Sequence, residues 1–249
     1  MHATLSNTRV IQRKILYTIF MIADTYIYLC LSVLFAVFWF LVFLRSGETT
    51  KLLQISFMGG VAGLVAEYWY FKDYWQPVSV LGHRVVSIED FIFGFTVTGI
   101  SFAIYSILNK TVRVRTHKKD IFFGICLFIG GLVALILLTK LKVNSIFAST
   151  FIFVSIFLYI SYKRHELFMQ GVVSGLILLL LAICIYVPLF GIISPEYWNT
   201  YYLLHQTIFD MRVFNIIPIT ELIWYFSWGC LAGTLYDYVS GKVQVKTRD

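Results

Sequence analysis

Apolar runs long enough to cross a bilayer follow one another along almost the whole chain, and they leave few folds open. A hydrocarbon core of about 30 Å takes roughly 20 consecutive apolar residues as a helix. Such runs are read at 18–44, 51–71, 88–108, 121–140, 145–162, 167–190 and 216–238. Backbone polar groups in lipid must bond internally, and the runs lack the alternation of a barrel strand, so each is read as a helix. Seven spans is the reading, with six and eight as the alternatives. The first run has room for an interfacial turn and is too long for the apolar segment of a signal peptide. Composition agrees: 59% of residues are hydrophobic and 13% charged, against about 45–50% apolar and about 25% charged in soluble domains. The expected fold class is all-α, a polytopic transmembrane helical bundle, with 1–249 forming one domain in the cell membrane.

The net charge of +7 does not point to nucleic acid. Lys110, Arg113, Arg115, Lys118 and Lys119 fall in a short loop, where cations set topology. With seven spans, 12 Lys and Arg lie on the side of the C-terminus and 8 on the other. That balance favours a cytoplasmic C-terminus, whereas Arg9, Arg13 and Lys14 in the N-terminal tail argue the other way. Cys30, Cys126, Cys184 and Cys230 show no C-x-x-C pairing and read as small packing residues. His2, His83, His117, His165 and His205 lie in the tail, in loops or at loop edges, without i, i+4 partners, so no metal site is expected.

Two apolar helices open on acids at matching places. Ser87-Ile88-Glu89-Asp90-Phe91 aligns with Pro218-Ile219-Thr220-Glu221-Leu222 at an offset of 131, and aromatic residues follow both. Upstream, Glu67-Tyr68-Trp69 recurs as Glu196-Tyr197-Trp198 at an offset of 129. A duplicated half is therefore expected: about 15–108, a connector helix at about 121–140, and about 145–238. Spans 2 and 3 correspond to spans 6 and 7, an offset of four helices, so both copies run the same way through the membrane, as a parallel repeat. The loops 72–87 and 191–215 then open on one face.

An acid in hydrocarbon costs a few kcal/mol on insertion scales and marks a functional site by default. Absent motifs narrow the chemistry. No G-x-G-x-x-G occurs for a dinucleotide, no D-x-x-x-D pair for magnesium and diphosphate, and no Lys in the seventh span for a Schiff base. What remains is carboxyls among aromatic rings. Desolvation disfavours a charged carboxylate, so a buried acid can hold its proton. Such an acid facing an alkene can start a carbocation reaction, and ring faces stabilise the cation by about 2 kcal/mol or more when desolvated.

At these residues the chain resembles the integral-membrane lycopene cyclase domain of two-subunit actinobacterial and fused archaeal and fungal carotenoid cyclases. That family carries a Pro-x-Glu-Glu type motif at a helix start in each half. The resemblance covers Glu67 to Tyr105 and Glu196 to Tyr238, with Ser87 in place of the proline in the first half and Thr220 in place of the first acid in the second. It implies cofactor-independent, acid-catalysed ring closure at the ends of a carotenoid, an intramolecular lyase or isomerase activity. Expected partners are a lipid-soluble polyene and membrane lipid, with no nucleic acid; association of identical chains is left open. Another membrane terpenoid cyclase, or a small carrier or lipid-binding protein, is the alternative.

Within this reading Glu221, with Glu89 or Asp90, supplies the proton. Glu67, or a carboxylate left by the first transfer, accepts the final ring proton. Trp224, Tyr225 and Trp69 form the cation-facing wall, Trp75 and Trp198 cap the site, and Phe91 contacts the substrate. Glu89 and Asp90 point about 100° apart on a helix and can alternatively serve as N-terminal acids favoured by the helix dipole. Pro218 fits the first position of its helix. Glu67 near a helix end needs a donor, a cation or its own proton. Asp24 is read as pairing with a polar neighbour or sitting at the interface, and Asp73, Asp210 and Asp237 as solvated boundary residues. Gly59-Gly60 and Gly130-Gly131 are close-packing candidates.

Overall fold

Long helices form along each apolar run in the computed structural model, which describes residues 2–82 and 85–246, with side chains from Asp24 onward. His83 and the side chains of His2, Arg9, Arg13 and Lys14 lie outside the described residues. In chain order the elements are α1 (His2–Arg45), α2 (Thr49–Asp73), α3 (Ile88–Asn109), β1 (Thr111–Arg115), α4 (Ile121–Lys140) and α5 (Ser145–Lys163). After a 3-10 turn (His165–Leu167) come α6 (Phe168–Pro188), a π turn (Leu189–Ile193) and α7 (Tyr197–Tyr201). The chain ends with β2 (Arg212–Val213), β3 (Ile217–Pro218), α8 (Ile219–Ser240) and β4 (Lys242–Lys246). Helix α1 starts at His2, well before the expected residue 18.

Among the described residues six helices are long and apolar enough to cross a membrane: the Asp24–Arg45 part of α1, then α2, α3, α4, α5 and the His165–Ile193 stretch containing α6. The protein is a multi-pass membrane protein. Helix α8 has 22 residues but dilutes its apolar character with Thr, Ser, Gly, Trp and Tyr. It lies inside the bundle against α3, α5 and α6, where protein rather than lipid walls it. The connector α4 shows the reverse: it buries no residue and reads almost purely apolar.

The two halves pack alike. Helix α3 rests on α1 and α2, α8 rests on α5 and α6, and α3 meets α8 between them. Small residues permit both close crossings. A Cβ on Gly94 would fall 2.5 Å from the Gly59 carbonyl oxygen, and one on Gly229 would fall 2.7 Å from the Gly175 Cα. Gly59 and Gly63, and likewise Gly171 and Gly175, have the four-residue spacing that lets membrane helices approach closely. Gly60 also packs tightly, against the Phe91 ring. Gly130 and Gly131 do not: a Cβ on the first would meet nothing within 4 Å, and on the second only ordinary contacts. The matching tripeptides are not equivalent either. Glu67 is buried within α2, while Glu196 is exposed in the loop before α7, bonded to Asn199.

The bundle has two distinct ends. At one, Asp24 accepts from Ser194, Asp73 accepts from the Ser145 backbone and side chain, and Trp75 bridges to Tyr202. This gathers the ends of α2 and α6, the starts of α3, α5 and α8, and both long loops. At the other, β1 pairs antiparallel with β4, a ribbon the sequence did not announce. Asp237, expected in solvent, is buried there. Arg113 donates to it at 2.8 Å and to Glu48 at 2.7 Å, and the guanidinium lies 3.8 Å over the Phe102 ring. The guanidinium compensates the charge that burial of Asp237 would otherwise leave unpaired. Asp73 and Asp210 are half-buried rather than freely solvated, because each is bonded, Asp73 to Ser145 and Asp210 to Arg212 and His205.

Candidate active site

Asp90 and Glu221 each occupy the third position of their helices, α3 and α8, on the loop-rich end. Ser87 N-caps α3, and its N–H and hydroxyl both donate to Asp90 Oδ2, at 2.6 and 2.9 Å. Asp90 thus does serve as a helix-start acid, satisfying an otherwise unpaired N-terminal donor. Its other oxygen accepts from the Tyr28 hydroxyl of α1 at 2.5 Å. In α8, Pro218 is the N-cap rather than the first helical residue. It sits in the short β2–β3 pairing, opposite Arg212, which holds it extended.

The four acids are nearly sealed from the surface: Glu221 is 7% exposed, Asp90 3%, Glu67 5% and Glu89 0%. Among the described residues none of them forms an ion pair. Tyrosine hydroxyls serve instead. Tyr74 donates to Glu221 Oε1 at 2.6 Å and Tyr186 to Oε2 at 2.9 Å, and Tyr186 is also bonded to Tyr225 at 2.9 Å. Glu67 accepts from the Trp75 indole at 3.4 Å and leaves Oε1 without a partner among the described residues. Glu89 turns away from this set, as the 100° rotation requires: its Oε1 takes the Val80 N–H at 2.7 Å and pins the loop, and its Oε2 has no partner among the described residues.

Aromatic rings join these carboxyls into one centre. Tyr28, on Asp90, meets Trp75 edge-on at 5.0 Å, and Trp75, on Glu67, stacks with Trp198 at 6.0 Å. Trp198 in turn packs against Tyr186, on Glu221, at 6.0 Å. Beneath, Tyr225 stacks on Phe35 at 5.7 Å and meets Phe93 at 5.9 Å.

The expected site residues are thus brought together in part. Glu221, Asp90, Glu67, Tyr225, Trp75 and Trp198 meet at the centre, and Trp224 borders it through Phe93 and a 2.9 Å bond to Tyr70. Trp69 and Phe91 are elsewhere. The first packs against the exposed Tyr68, and the second against Phe57 and Phe95 on the α2–α3 flank. Sequence reasoning missed Tyr28, Tyr186, Phe35 and Phe93. A signal existed for the tyrosines, since a phenol inside an apolar span usually takes a hydrogen-bond partner.

This arrangement defines a class: a polytopic membrane protein with carboxyls and aromatic rings enclosed at the meeting of two like halves. Comparison with protein-family models matches lycopene cyclase over residues 13–108 and 144–239. The chain belongs to the lycopene cyclase family. The two stretches are displaced by the same 131 residues as the acid-bearing helix starts, and they take in α1 to α3 and α5 to α8. Searches among curated proteins and solved structures gave no match.

Proposed function

We propose that this protein is a carotenoid cyclase that closes end rings on an acyclic polyene by acid catalysis, without a redox cofactor. The observation that carries the reading is Glu221, buried against Tyr74, Tyr186 and Tyr225 in a chain of the lycopene cyclase family. In this reading the Glu221 O–H adds its proton to the terminal double bond. The resulting cation is attacked by the neighbouring double bond, forming the ring C–C bond. A ring proton then leaves to Glu67, whose Oε1 has no partner among the described residues, and a new double bond forms. No electrons are gained or lost, so product and substrate are isomers.

The aromatic rings at the centre suit a passing cation, through the negative faces of their π systems. After proton transfer, Tyr74 and Tyr186 hold the Glu221 carboxylate with two hydroxyl bonds in place of water. Trp75 and Trp198 cover the acids, so a polyene end reaches them only as these loop-borne rings move aside. Asp90, engaged by Ser87 and Tyr28, shapes the start of α3.

The test is expression in cells that accumulate lycopene, with the pigment identified by chromatography and mass spectrometry. The expected product has unchanged mass and one or two end rings. Unaltered lycopene alongside abundant folded protein would remove the reading. Purified protein should give the same product without flavin, nicotinamide or metal, and a strict requirement for a reductant would contradict the mechanism.

A further inference from the structure

A line of hydroxyls runs from the loop end of the bundle to Glu221. The Tyr202 hydroxyl lies 3.2 Å from Thr220 Oγ1, Thr220 Oγ1 lies 3.0 Å from the Tyr74 hydroxyl, and Tyr74 donates to Glu221 Oε1 at 2.6 Å. All four groups belong to buried residues. A hydroxyl both donates and accepts, so each can give its proton to the next group while taking one from behind. The first two bonds fit either direction, and the last fixes the orientation toward the carboxylate. The backbone of Tyr202 turns there into the loop, its carbonyl accepting from the His205 backbone N–H at 3.1 Å. His205 there joins Asp210 and Arg212 in a half-buried polar cluster of the loop.

We infer that Tyr202, Thr220 and Tyr74 form a proton relay that recharges Glu221 between turnovers. The inference rests on the proposed cyclase reading, in which Glu221 gives up a proton and Glu67 receives one. The reaction is proton-neutral overall, yet after each ring closure the donor is a carboxylate and the acceptor an acid. One proton must enter at Glu221 and one must leave Glu67. The relay supplies the entry route: water reaching the Tyr202 hydroxyl from the loop end gives it a proton as Tyr202 passes its own to Thr220, Thr220 to Tyr74 and Tyr74 to Glu221, so each hydroxyl keeps its proton count unchanged. Thr220 is the informative member, because its hydroxyl bonds Tyr74 and Tyr202 and reaches Glu221 only through Tyr74.

The experiment compares single and multiple turnovers of purified, reconstituted full-length protein with an acyclic carotenoid. Thr220→Val keeps the shape of the side chain and removes the hydroxyl, and Thr220→Ser restores it. With enzyme in excess, Thr220→Val should form its first ring at the parent rate. With substrate in excess, it should show that first burst and then slow by about tenfold or more, while Thr220→Ser behaves as the parent. Tyr202→Phe should copy Thr220→Val. Multiple turnover at the parent rate in both would overturn the relay, and it would mean that the Glu221 carboxylate takes back the ring proton itself. A first turnover slowed as much as the later ones would also overturn it, by assigning Thr220 to the geometry of the acid. A parent protein that forms no ring would instead sink the cyclase reading.

Discussion

The Tyr74 hydroxyl donates a 2.6 Å hydrogen bond to Oε1 of Glu221, tying the end of α2 in the first half to the first turn of α8 in the second. The proposed acid is therefore set by both halves of the repeat, although only one of them carries it. A hydrogen bond to a charged group is worth about 1.5–3 kcal/mol. If Glu221 becomes a carboxylate as the alkene is protonated, Tyr74→Phe should slow even the first turnover by about ten- to a hundredfold. Rapid-mixing assays on monodisperse protein check this, and an unchanged first turnover would show that the bond is not used.

The helix crossings give a second prediction. A side chain on Gly229 would collide with backbone atoms of Gly175 and Ser174, which have no rotamer to yield. Gly229→Val should cost about 1–3 kcal/mol or prevent folding, seen as a lower melting temperature and a smaller monodisperse fraction. The same change at Gly130, which meets nothing within 4 Å, should leave melting nearly unaltered.

How much of this was legible beforehand depends on which force set it. Lipid dictates long apolar helices, so the spans were readable from length alone. The displacement of 131 residues was readable because Asp90 and Glu221 need the same place at a helix start. The glycine spacings stood in plain view but say nothing of a partner until α3 and α8 are laid across α2 and α6. Trp69 looked like Trp224 and Trp198 because composition does not tell the lipid side of a helix from the protein side. Asp237 looked solvated because Arg113, its partner, is 124 positions away in the chain. The β1–β4 ribbon that brings Arg113 close is too short to leave a strand signal.

That buried pair supplies a third prediction. Both side chains are nearly sealed, Arg113 at 3% and Asp237 at 1% exposure. Removing one partner from such a pair typically costs about 3–5 kcal/mol, because the other charge stays buried and uncompensated. Arg113→Met should lower the melting temperature sharply, and adding Asp237→Asn should recover much of the loss. Turnover per folded molecule should stay at the parent level, since the pair lies at the end opposite the acids.

Glu48, in the turn between α1 and α2, gives a pH dependence. Partial burial pushes its carboxyl up, but Lys51 and Arg113 beside it outweigh that and hold it below the ordinary value of 4.5. A depressed folded value means that the stabilisation is complete above the unfolded value and is lost as pH falls through the folded one. The melting-temperature gap between parent and Glu48→Gln should therefore be full above pH 4.5 and close on further acidification. A gap that widened toward low pH would contradict the assigned partners.

The central claim is that Glu221 is the proton donor. Glu221→Gln keeps the shape and an acceptor oxygen for one of the two tyrosine hydroxyls, while the other can turn to accept from the amide, and it removes the acidic proton. Its turnover of an acyclic carotenoid, measured beside Asp90→Asn and Glu89→Gln in equally folded protein, tests the claim most directly. A general acid contributes about 10²–10⁴-fold, so Glu221→Gln should lose at least about a hundredfold while still binding the polyene. Ring formation by Glu221→Gln at the parent rate would contradict the account.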